Sequence, residues 1–112
     1  MPVFRLFFLM LVCSSVSAEI SDSELTRYQT TIHCVDKVYY ADGYSSDEAG
    51  DRTILLNKAL AIANLPSYNS ELEHRKLGQL DSKAYLAARD ACESHWPEIS
   101  QVAQSMGMHP AY

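Results

Sequence analysis

Between Asp22 and Ala41 the apolar positions recur in steps of three and four. Leu25, Tyr28, Ile32, Val35 and Tyr39 form one helical stripe, and Cys34, Val38 and Ala41 form a second beside it. The remaining arc holds Asp22, Gln29, His33, Asp36, Lys37 and Tyr40, and is expected to face water. About half the circumference is therefore apolar, wider than the stripe of an ordinary surface helix. Such a helix needs neighbours on two sides, so the rest of the chain is expected to organise around it. Ser21-Asp22-Ser23-Glu24 has the spacing of a capping box with Ser21 as N-cap, and Gly43 is placed to end the helix near Ala41.

Four further stretches carry helical patterns. Ser45-Ser46-Asp47-Glu48 reads as a second capping box, opening a helix over residues 46–64 in which Leu55, Leu56, Ala59, Leu60, Ile62 and Ala63 share one side. Ile54, Ala61 and Leu65 fall on its other side. They fit either a broadly buried helix, the simpler reading, or a contact between two copies of the chain. Pro66 stops this helix. Ser70-Glu71-Leu72-Glu73 predicts a short helix to Leu77, closed by Gly78. From Asp81-Ser82 through Trp96, Tyr85, Ala88, Cys92 and Trp96 share a face whose alanines permit close helix approach. Pro97 opens a last helix with Ile99, Val102, Ala103 and Met106 inward; Gly107 ends it, and Met108 to Tyr112 is expected to fray. The pattern predicts an all-α fold of four to five short helices in one small disulfide-stapled bundle, a single domain over residues 19–112.

Residues 1–18 are expected to be a signal peptide. Arg5 is its basic residue, Leu6 to Cys13 is an unbroken apolar run too short to cross a bilayer, and Val16-Ser17-Ala18 supplies the cleavage site. Anchoring through Cys13 as a lipoprotein is disfavoured, because Val12 stands where a small residue should precede the modified cysteine. Arg5 is the only charged residue of that segment, so cleavage makes the formal charge of −5 one unit more negative. An acidic exported domain is a poor partner for nucleic acid or an anionic membrane surface, and a charged partner is expected to be basic. Two cysteines then remain, Cys34 and Cys92. In an oxidising compartment an even pair reads as a disulfide, worth ~4 kcal/mol for a loop of about 59 residues.

That bridge consumes both thiols, so neither Cys34 beside His33 nor Cys92 beside His95 is read as a nucleophile, and no catalytic residue or cofactor is assigned. Met106, Met108 and His109 are soft-metal donors, but three groups on a tail do not define a site. Asp42 to Asp51 lacks the alternating oxygens and central glycine of a calcium loop. The segment that reads as recognition is Tyr39 to Glu48. Tyr40 and Tyr44 among Ser, Gly and Asp have the composition of a binding loop, with Asp42, Asp47 and Glu48 as a charged rim. The plainer reading is a capped turn whose tyrosines cover helix ends.

On its Cys-Val-x-x-x-Tyr helix (Cys34, Val35, Tyr39), its acidic segment Ser45 to Asp51 and its late helical Cys92, the chain resembles the all-helical periplasmic immunity proteins that neutralise peptidoglycan amidases delivered by type VI secretion. That resemblance implies plugging an enzyme's substrate groove, often from a dimer. The cysteine pair alone also resembles the helical acid-stress chaperones, which carry one disulfide over a similar stretch. The resulting expectation is an exported protein-binding protein, with a periplasmic chaperone as the alternative.

Overall fold

The computed structural model describes residues 20–40 and 43–109; residues 1–19, which include the expected leader, Ala41, Asp42 and residues 110–112 lie outside them. The described chain is helical, with α1 (Asp22–Tyr39), a 3-10 turn (Ser46–Glu48), α2 (Ala49–Ile62), α3 (Ser70–His74), α4 (Ser82–Ser94) and α5 (Trp96–Ser105). The all-α disulfide-stapled bundle read from the sequence is what forms.

Helix α1 is the organiser. Leu25, Tyr28, Ile32, Val35 and Tyr39 are buried, and α4 packs along one side of it while α2 and α3 pack along others. The α4 seam is made of small groups, Ala84, Ala88 and Cys92 at steps of four, so the two backbones approach closely. Cys92 meets Cys34 across it in a disulfide, with Cα atoms 6.7 Å apart. Such a bond persists in a non-reducing environment. Among the described residues no helix is long and apolar enough to cross a membrane.

Asp22, His33 and Lys37 of the expected polar arc of α1 are exposed, but Gln29 of that arc, with Arg27 and Tyr28, serves the fold. Gln29 donates to the carbonyls of Leu72 and Arg75, at 3.1 and 2.8 Å, and ties down the end of α3. Arg27 donates to the Ala63 carbonyl at 2.7 Å, satisfying the C-terminal end of α2 where a cation is favoured. The Tyr28 hydroxyl donates to Ser67 O and accepts from Asn69 N, fixing the loop after Pro66.

Helix boundaries follow cap chemistry. Ser21 caps α1 as expected, accepting from Glu24 N at 3.1 Å. The cap of α3 is Asn69, whose side chain accepts from Glu71 N and Leu72 N, and not Ser70; the helix stops at His74. The anticipated capping-box partner, Glu73, is drawn to Arg52 instead. Asp81 caps α4 through Ala84 N, and Pro97 lies in the first turn of α5.

Two expectations fail for one physical reason. Helix α2 ends in a Schellman motif: Asn64 adopts φ 58°, Asn64 N bonds Ala61 O, and Leu65 N bonds Leu60 O at 2.9 Å. The motif turns the following apolar residue back onto the helix, so Leu65 is buried in the core rather than standing beside Ile54 and Ala61 on an outer stripe. Helix α5 ends identically. Gly107 adopts φ 78°, its N–H bonds Gln104 O, and Met108 N bonds Ala103 O at 3.0 Å. Met108 therefore packs against the core and does not begin a frayed tail.

Candidate functional site

The recognition segment was read as two exposed tyrosines among acids, and the structure gives those tyrosines different tasks. Tyr40, the C-cap of α1, is only 5% exposed, and its hydroxyl donates to the Met108 thioether at 3.7 Å. It is buried, not the exposed ring expected on the polar arc. Its place on the polar side of the helical wheel was misleading because the chain after α5 returns to cover it. Burial first, then the carboxylates of Glu48, Asp51 and Asp36, push its hydroxyl up to about 12.

Tyr44 is 46% exposed and is held from below. Its ring meets the edge of Tyr40 at 5.8 Å between centroids and lies over the Arg52 guanidinium, whose Cζ is 4.5 Å from the ring centre. Asp47 and Glu48, in the 3-10 turn that follows, are exposed. Glu48 accepts from the Ser45 hydroxyl at 3.0 Å, but Ser45 makes no side-chain bond to the backbone of the turn, so the expected second capping box does not form and residues 46–48 make a 3-10 turn ahead of α2. Asp51 adds a third exposed carboxylate from the first turn of α2. Asp42, the remaining residue assigned to this face, lies outside the described residues.

Sequence reasoning missed the group beneath the face. Arg52 lies on the core stripe of α2, three, four and seven residues before Leu55, Leu56 and Ala59, and it is 3% exposed. Its Nε and Nη2 bind both oxygens of Asp36, at 2.9 and 2.7 Å, and Nη2 also binds Glu73 Oε2 at 2.6 Å. Nη1 reaches the Tyr68 hydroxyl at 3.4 Å, and that hydroxyl donates to Glu73. The Asp36 hydrogen bond, against burial, and then the Glu73 bond raise the Arg52 pKa and keep it charged. Burial pushes Glu73 up, but hydrogen bonds from Arg52 and Tyr68 outweigh it and hold the carboxyl below its usual range. Among the described residues no buried side-chain nitrogen or oxygen lacks a partner. The available signal was a cation at a core position of an amphipathic helix, which implies a buried anionic partner.

The other candidates resolve as packing. Met108 is engaged by Tyr40 and Met106 packs on the core, so neither stands free beside His109 as a soft-metal donor. His95 contacts the Glu98 carboxylate at 3.2 Å, at the junction of α4 and α5. Of the stripe proposed for contact between copies, Ile54 (53%) and Ala61 are exposed while Leu65 is not. Compared with family models, curated proteins and solved structures, the chain finds no match.

Proposed function

We propose that this chain is an exported, periplasmic or secreted, helical binding protein that acts by blocking a partner enzyme through protein–protein contact. The observation that carries the reading is Tyr44: a half-exposed aromatic ring fixed on a buried guanidinium, followed in the chain by the exposed carboxylates of Asp47, Glu48 and Asp51. A rigid ring loses little conformational freedom when a partner covers it, which is what makes aromatic anchors effective at interfaces. The acidic frame selects a basic contact surface and accelerates encounter with it. The resemblance to immunity proteins supports the same role. The chaperone alternative needs the bundle to open on mild acidification. The low pKa of Glu73 works against that, because its ion pair survives to below the ordinary carboxylate range.

The test uses the product of the neighbouring gene as the partner, measured by calorimetry and by inhibition of its enzymatic activity. Tyr44→Ala should weaken binding by about 30-fold to 1000-fold, the loss of an interface hot spot. Asp47→Asn with Glu48→Gln should mainly slow association, with an effect that fades at high salt. Wild-type affinity in Tyr44→Ala, together with lost binding in Ile54→Asp, would move the contact surface to the outer side of α2 and refute the assignment.

A further inference from the structure

A second surface, remote in character from the acidic face, follows the seam between α1 and α4. It is an open groove of about 520 Å³ lined along α1 from Thr30 to Val38. Cys34, Val38, Tyr85 and Trp96 supply its apolar part, and the disulfide runs beneath it. Its polar rim is His33 with two cations, Lys37 and Arg89, and a single carboxylate, Glu93. Among the described residues neither Lys37 nor Arg89 makes an ion pair. In a chain with formal charge −5, two unpaired cations facing one apolar groove are a local reversal of sign.

We propose that this groove binds an anionic amphiphile: a carboxylate held by Lys37 and Arg89 on a single alkyl chain laid along Val38, Tyr85 and Trp96. The volume lies within the range of about 300–1,000 Å³ common to small-molecule sites. From Thr30 to Val38 the wall is about 12 Å of helix axis, enough for an extended chain of about ten carbons. Tyr85 was expected among the inward residues of α4, yet it stands exposed at this groove, leaving apolar surface that nothing in the bundle covers. The long stems of lysine and arginine lie on apolar surface while their heads meet the anion.

Trp96 is the only tryptophan of the chain, and it both lines the groove and stacks on Tyr39 at 5.6 Å, so its fluorescence reports occupancy directly. The disulfide-intact protein is titrated with decanoate below its micellar concentration. Decyltrimethylammonium serves as the cationic control and an acidic amphipathic peptide as the competing class of ligand. Decanoate should give a saturable spectral shift that the cation does not. Lys37→Gln with Arg89→Gln, both exposed positions, should weaken binding about tenfold or more with unchanged circular dichroism. Lys37→Arg should bind as wild type, and so should Tyr44→Ala, which separates this site from the acidic face. Equal binding of the cation, an affinity indifferent to both neutralisations, response to the peptide alone, or no saturable shift would each overturn the proposal.

Discussion

Replacing Arg52 by Met removes the guanidinium while keeping most of the aliphatic stem, and so isolates the ion network from core packing. The variant leaves Asp36 and Glu73 without their shared cation, and their side chains are only 27% and 16% exposed. Breaking a buried pair by deleting one partner costs about 3–5 kcal/mol, because the surviving charge stays desolvated. Asp36 retains some water, which places the expectation at the lower end, about 3 kcal/mol. At about 4–8 °C per kcal/mol for a domain of this size, the melting temperature should fall by about 12–24 °C. Arg52→Lys should recover only a minor part, since an ammonium cannot bind both oxygens of Asp36 while reaching Glu73.

The pH dependence supplies an independent check with a definite sign. In the wild type Glu73 has a depressed pKa, so its contribution is fully present above the ordinary carboxylate value and is lost as pH falls through the folded value. Without Arg52 the burial that already opposes ionisation dominates. The folded state of the variant then takes up a proton more readily than the unfolded chain, and acidification stabilises it in that window. The deficit should therefore shrink between about pH 5 and pH 3. Urea unfolding of the disulfide-intact proteins, followed by far-ultraviolet circular dichroism across that range, measures both quantities. A loss under about 1 kcal/mol at pH 7, the worth of a surface pair, with no narrowing on acidification, would refute the network as a structural element.

Two further outcomes follow from the same architecture. Cys34→Ser with Cys92→Ser should lower stability by about 4 kcal/mol through the larger entropy of the unfolded chain, read as a lower urea midpoint with the helical spectrum retained at zero denaturant; an unchanged midpoint would remove the staple from the account. The wild type should keep its circular dichroism and bind no apolar dye at about pH 5, above the range in which Glu73 protonates; dye binding there together with protection of aggregating client proteins would restore the chaperone reading.

What the sequence could disclose was periodic. The wide apolar arc of α1 correctly implied neighbours on two sides, and the alanine-rich face holding Ala88 and Cys92 implied the close seam that the disulfide crosses, although Tyr85, read onto the same face, is exposed and Ala84 is buried there instead. What it hid was the destination of polar groups at long range. Asp36, Gln29 and Glu73 look like solvated helix residues, and only the fold shows that each binds a distant segment. Tyr40 was misassigned for a related reason: a helical wheel knows its own helix, and Met108 arrives from 68 residues away. Leu65 and Met108 were more accessible to reasoning. An apolar residue directly after Asn64 or Gly107 at a helix end is the sequence mark of a Schellman motif, which folds that residue inward. Reading Pro66 and Gly107 only as stop signals missed where the next side chain goes.

The two surfaces differ in how they are made, and α1 explains why both exist. Asp36 and Lys37 are consecutive, and consecutive helical side chains point about 100° apart. Asp36 turns toward α2 and neutralises Arg52, while Lys37 turns toward α4 and lines the groove, without an ion pair among the described residues. On the first side, burying one cation among acids fixes Tyr44 from below and leaves Asp47, Glu48 and Asp51 as an outward negative frame. On the second, small residues bring the helices together at Cys34–Cys92, and larger ones, Tyr85 and Trp96, flank the opening above it. The net negative charge is thus a sum over a divided surface. A single partner chemistry does not suit both sides: we propose a basic protein for the acidic face and an anion with an apolar body for the groove. Tyr44 stands on the first side and Lys37 and Arg89 on the second, so substitutions of exposed side chains test the two proposed surfaces separately while Arg52 and the disulfide hold the one fold beneath both.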